Sequence, residues 1–106
     1  MEVIRIKTNS KTTLIDKASN LNFDGSNVHA WTAHNQGNVT AYVNDVRIPP
    51  NAHWGYGGNI SVDNGIAYVT VDVTKVSIIF DADEQKALLA NGEVINKEVI
   101  IVEQVI

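Results

Sequence analysis

The chain of 106 residues contains no cysteine. Disulfides, thiolate metal centres and cysteine nucleophiles are therefore excluded. There are only two prolines, adjacent at Pro49-Pro50, and aromatic residues make up 7%. Basic charge is thin as well: Lys and Arg total eight against twelve acids, for a net charge of −4. The basic residues are scattered singly along the chain, from Arg5 to Lys97, and build no stripe that would displace counterions from a phosphate backbone. Direct nucleic-acid binding is not expected. No apolar run approaches the roughly 18–20 residues that cross a bilayer, so no membrane role is expected. The first residues, Met1-Glu2-Val3-Ile4-Arg5-Ile6-Lys7, are strand-like and broken by charge, without the apolar centre of a secretion signal.

What the chain does contain is β-branched bulk. Val, Ile and Thr supply 33 residues, while Leu is scarce. Such side chains pack well on a pleated surface and are stiff in a helix. Ile66–Phe80 is the densest stretch. In its first half Ala67, Val69, Val71 and Val73 alternate with Tyr68, Thr70 and Asp72, as in a strand with one buried face. The composition, 44% hydrophobic and 19% charged, is that of one folded domain spanning 1–106.

Strands are expected at Glu2–Lys7, Thr12–Ile15, Val28–His34, Val39–Val43, Val46–Ile48, Asn59–Val62, Ile66–Phe80 (kinked near Thr74-Lys75) and Glu93–Ile106, whose centre is the apolar run Val99–Val102. Between them, Thr8–Lys11 reads as a polar turn and Asp16–Asn27 as a loop tied down by Leu21 and Phe23. Asn51–Gly58 reads as an exposed glycine-rich bend. Asn44-Asp45 suits a two-residue hairpin turn, because both residues tolerate positive φ, and Asp63-Asn64-Gly65 suits another. Pro49-Pro50 cannot donate to a ladder and stops any central strand. Asp81–Asn91 is the one persuasive helix. An Asp caps its start, Glu84 favours its N-terminus and Asn91-Gly92 ends it.

The pattern predicts an all-β fold, a mostly antiparallel β-sandwich of immunoglobulin-like or jelly-roll-like type, with one short helix near residues 82–90. The expected core is Ile4, Ile6, Leu14, Phe23, Val28, Val39, Val43, Val69, Val71, Ile78, Phe80, Leu88, Val99 and Ile101, with Trp31 and Tyr68 in or beside it.

Catalytic chemistry finds no purchase. No serine sits in a nucleophile elbow, no glycine-rich loop leads into Lys-Ser/Thr, and no acid pair can be assigned to one cleft. Asp81-Ala82-Asp83-Glu84 lacks the spacing of a calcium loop and reads as a helix cap. His29 and His34 are an odd number of residues apart, which on a regular strand puts them on opposite faces, although His53 could approach His34 from a neighbouring loop. No metal, cofactor or enzymatic activity is expected. Interaction residues are expected instead. Trp54 and Tyr56, two apart on an extended segment, could face one way, with His53 beside them. They would serve either as anchors at a protein interface or as a platform for a sugar ring. Val105 and Ile106 give the chain an apolar end, to be covered by its own sheet or by a partner.

One stretch carries a resemblance. Asn35-Gln36-Gly37-Asn38, the strand Val39–Val43, the turn Asn44-Asp45, and Ile48-Pro49-Pro50-Asn51 resemble, in order and spacing, small β-sandwich proteins of tailed-bacteriophage particles. Those proteins often run from an Asn-x-Gly turn through a Val/Thr strand and an Asn-Gly hairpin to an apolar-Pro-Gly element. Here Asn44-Asp45 stands where Asn-Gly would, and Pro50-Asn51 where Pro-Gly would. The match covers under a fifth of the chain and brings no functional residues with it. The proteins resembled are capsid auxiliary (decoration) proteins and short head or tail accessory proteins, and the resemblance implies a non-enzymatic virion structural protein, foremost a capsid auxiliary or decoration protein that binds and stabilises the shell. Its partners would be the major capsid protein or other virion proteins, with homo-oligomers possible. Its location would be the virion, assembled in the host cytoplasm. The competing expectation is a carbohydrate-binding module or receptor-binding tip that uses the exposed aromatics on a glycan.

Overall fold

A computed structural model of the chain describes residues 9–23, 28–56, 59–63, 66–70 and 74–105; for residues 29, 59–63 and 66–70 it describes the backbone alone. The expected strand Glu2–Lys7 and the core positions Ile4, Ile6 and Val71 lie outside the described residues, as do the side chains of Tyr68 and Val69.

The described residues are mostly strand. In order they form β1 (Asn9–Ile15), β2 (Ser19–Asn22), β3 (Val28–Asn35), β4 (Ala41–Val43), β5 (Val46–Ile48), β6 (His53–Tyr56), β7 (Asn59–Asp63), β8 (Ile66–Thr70), β9 (Lys75–Phe80), α1 (Ala82–Ala90) and β10 (Val99–Val105). Two four-stranded antiparallel sheets result, ordered β1-β10-β3-β6 and β2-β9-β4-β5, while β7 and β8 pair with each other. Both sheets feed a single apolar cluster. Trp31, Ala33, Val99 and Ile101 of the first sheet meet Ala41, Val43, Ile48, Val76 and Ile78 of the second. This is the expected all-β sandwich with one short helix.

Local chemistry explains several elements directly. Asn44 and Asp45 have φ of 49° and 66°, and Val43 faces Val46 across them, which makes the two-residue turn whose twist suits a hairpin. Asn51 also has a positive φ, 70°. At both places where Asn or Asp stands in a glycine-like position, the backbone is left-handed, a conformation these residues tolerate better than most. The helix begins where Asp81 Oδ1 accepts from the Glu84 amide at 2.9 Å. It ends at Gly92, φ 74°, where the Gly92 amide donates to the Leu89 carbonyl and the Glu93 amide to the Leu88 carbonyl, both at 3.0 Å. That is the double C-terminal bond of a Schellman motif, which needs a left-handed residue.

Five expected elements are corrected. Glu93–Ile106 was expected to be strand throughout, but β10 begins only at Val99. Thr8–Lys11 was expected to turn, but Asn9, Ser10 and Lys11 belong to β1 and pair with Val105, Gln104 and Glu103. Asp16–Asn27 was expected to be loop, yet it holds β2, an edge strand on β9. The Asn51–Gly58 bend contains β6, an edge strand on β3. Ile66–Phe80 is not one kinked strand. β8 joins the hairpin and β9 the second sheet, so the two ends of the segment answer to different partners.

The core matches expectation at Phe23, Val28, Val39, Val43, Ile78, Val99 and Ile101, all buried, and Trp31 is 1% exposed. Phe80 is partly buried against the cluster, and Leu88 is half-buried. Leu14 is a correction: it is 57% exposed, because the alternation of β1 turns Ile15 inward instead. Leu21 and Phe23 do secure their segment, Phe23 in the core and Leu21 packed against it.

Candidate functional site

The apolar C-terminal strand is covered by its own sheet. β10 lies between β1 and β3, bonded on both sides, with Val99 and Ile101 fully buried. Val105 is partly buried against the core; Ile106 lies outside the described residues. Trp54 and Tyr56 face the same way, as their spacing predicts, and that way is inward. Both are half-buried, 4.7 Å apart in an edge-on arrangement, with Trp31 at 5.8 Å from Trp54 and 5.5 Å from Tyr56. Aromatic edges and faces matched in this way strengthen a core contact. These rings anchor β6 to the sandwich.

The polar residues of the Asn35–Asn51 stretch also have structural employment. Asn35 is 1% exposed. Its Nδ2 donates to the carbonyls of Val39 at 2.8 Å and Ile48 at 2.9 Å, and its Oδ1 accepts from the Gly37 amide at 3.0 Å. One side chain thus ties the end of β3, the following turn and the end of β5. Asn38 clamps the segment before β10: its Nδ2 donates to the Val94 carbonyl and its Oδ1 accepts from the Asn96 amide. A Cβ on Gly37 would meet the carbonyl oxygen of Asn96, so the Asn-x-Gly turn needs glycine for close approach. Asn44 works likewise, with Nδ2 to the Lys75 carbonyl and Oδ1 from the Ser77 amide. Glu84 Oε1 accepts from the buried Thr40 amide, and Tyr42 donates to Asp81, joining α1 to β4. The acids at 81–84 therefore cap and dock the helix. Among the described residues no three His, Cys, Asp or Glu side chains come together.

Among the described residues, the outer face of the first sheet has no part in these ties. Alternation and register set its rows. Leu14, Ile100, His34 and His53 lie side by side across the four strands; Thr12, Val102, Thr32 and Gly55 form the next row. Ser10, Gln104 and Ala30 follow, with Ser10 bonded to Gln104 across the strands. None of these residues carries a formal charge, in a chain that is 19% charged. The outer face of the second sheet, by contrast, carries Lys75 and, opposite Tyr42, Arg47. Beside Leu14 a groove of about 370 Å³ is lined by Leu14, Asp16, Ile95, Asn96, Lys97 and Glu98, which places a charged rim at one end of the neutral face. A second groove, about 410 Å³, lies on the second sheet among Asn20, Leu21, Asn22, Asn44, Lys75, Val76 and Ser77.

The approach of His53 to His34 was expected and its form was not, while the burial of Glu103 escaped the sequence. His34 pairs directly with His53, their rings stacked at 5.4 Å and 23°. His53 arrives on a strand, not on a loop. Glu103, at the inward position between Lys11 and Trp31, is only 7% exposed. Both follow from long-range register, which no local spacing encodes. Compared with known proteins, the chain matches no family model, no curated protein and no solved structure.

Proposed function

We propose that this chain is a non-enzymatic structural protein of a tailed-phage particle, an auxiliary protein that binds the capsid shell through the outer face of its first sheet and stabilises it. The observation that carries the reading is the charge-free face built on β1, β10, β3 and β6. Interface centres are depleted in charged side chains and ringed by polar ones. Here the neutral rows, with Leu14 57% exposed, end at the charged rim of Asp16, Lys97 and Glu98. Thr, Val and Ile on a sheet are stiff, so little rotamer freedom is lost when they are covered. A repeating shell multiplies even a modest contact through many equivalent sites. The resemblance of Asn35–Asn51 to phage β-sandwich proteins supports a partner within the virion. The polar network of that same stretch supports a rigid binding module, because its side chains are spent on holding turns.

The glycan reading draws less support, since Trp54 and Tyr56 are packed on Trp31. The test is add-back of purified protein to particles that lack it. Wild type should bind saturably and raise the temperature at which the particles burst. Leu14→Asp should weaken binding at least tenfold, and Ile79→Asp, at a 48% exposed position on the other sheet, should not. Binding to a free glycan, self-association through Leu14 with no particle binding, or equal loss in both variants would overturn the assignment.

A further inference from the structure

We propose that His34 and His53 form a two-imidazole chelating site for a divalent first-row transition-metal cation, copper(II) by preference, on the outer face of the first sheet. The inference is independent of what the face docks against. It begins with register. The Asn35 amide donates to the Ala52 carbonyl at 3.0 Å, so the backbone polar groups of Asn35 point toward β6. The neighbouring pair, His34 and His53, is then a non-hydrogen-bonded pair, the kind that brings opposing side chains closest in an antiparallel ladder.

The two rings lie nearly parallel with centroids 5.4 Å apart. Metal–imidazole bonds of about 2.0–2.1 Å require the two donor nitrogens to sit roughly 3 Å apart in a cis arrangement. Rings already cofacial on rigid paired strands reach that spacing by leaning their nitrogen edges together. His53 is exposed and His34 half-buried, so an ion can enter from solvent and keep water in its remaining positions.

The neighbours fit this use. His34 is flanked on its other side by Ile100, and the next row offers Thr32 and Gly55, so no described acid or cation on this face competes for either imidazole. Imidazole suits copper, nickel and zinc, and affinity at a fixed nitrogen site rises from manganese to copper and falls back at zinc. Chelation would also clip β6, a four-residue edge strand, to β3.

The test uses the full-length, tag-free protein stripped with a chelator, titrated calorimetrically with copper(II), nickel(II), zinc(II) and manganese(II). One equivalent of copper(II) should bind tightest and manganese(II) should give no measurable heat, and copper(II) should raise the melting temperature. His53→Gln, at an exposed position, should melt like wild type without metal, lose at least tenfold in copper(II) affinity and show no metal-induced rise. His34→Gln should do the same, and His29→Gln should keep wild-type binding. Unchanged affinity in His53→Gln, loss of binding in His29→Gln, or a manganese(II) affinity equal to that of copper(II) would overturn the site.

Discussion

Removing the Asn35 side chain should cost more stability than its size suggests. Asn35→Ala deletes two donors and one acceptor at a position 1% exposed. The carbonyls of Val39 and Ile48 and the amide of Gly37 lose their side-chain partner where water has little access. A net hydrogen bond is worth about 1 kcal/mol, and a buried group left unsatisfied costs about 1–3 kcal/mol. Two of the three groups belong to buried residues, and the Gly37 amide keeps a second acceptor in the Glu98 carbonyl at 3.1 Å. The loss should be about 3 kcal/mol. For a domain of this size, 1 kcal/mol moves the midpoint by about 4–5 °C, so melting should fall by roughly 12–15 °C. Asn35→Asp keeps the volume and replaces the donors with acceptors aimed at two carbonyls; at neutral pH it should be at least as damaging. Urea denaturation at constant m-value, paired with thermal melts, reads both effects. A drop below 1 kcal/mol in Asn35→Ala, or wild-type stability in Asn35→Asp, would refute the assignment of Asn35 as the tie between β3, its turn and β5.

Other perturbations follow from single contacts. Asp81→Ala removes the helix cap and the acceptor for Tyr42, and should destabilise by about 1 kcal/mol with helical signal lost first in circular dichroism. Asp45→Gly relaxes a residue held at φ 66° and should stabilise in the same denaturation assay, because the left-handed strain relieved, about 1–2 kcal/mol, exceeds the roughly 0.5–1 kcal/mol that glycine costs in unfolded-state entropy. Gly55→Ala would drive a Cβ into the backbone of Trp31, and should shift the melt downward by more than Ala substitution at the half-buried Thr32. Trp31→Ala opens the aromatic cluster and should cost about 3–5 kcal/mol, with the emission spectrum losing its most blue-shifted component.

The fold was largely legible because its strongest signals are local. β-branched runs mark β9 and β10; Asn44-Asp45 and the Asp81 to Gly92 caps mark their turns through backbone chemistry alone. The misses share a different cause. β1 begins in Asn9-Ser10-Lys11 and β2 is Ser-Asn-Leu-Asn, sequences with weak strand character that become strands because β10 and β9 offer partners. Tertiary pairing overrides propensity most easily at edges, where one face stays wet. Leu14 was assigned inward by hydrophobicity, whereas the phase of β1 gives the interior to Ile15. The candidate site was legible only in fragments. An approach of His53 to His34 is legible in the sequence, but that the two meet as a cross-strand pair depends on the register between β3 and β6. Trp54 and Tyr56 were correctly given one direction, and only the structure identifies it as inward.

The most direct measurement of the central claim is site-specific photocrosslinking on assembled particles. A photoreactive residue placed at position 14, on the outer face of the first sheet, should crosslink to the shell protein, and one placed at position 79, on the outer face of the second, should not. Crosslinks from position 79 with none from position 14, or none to the shell from either, would contradict the account.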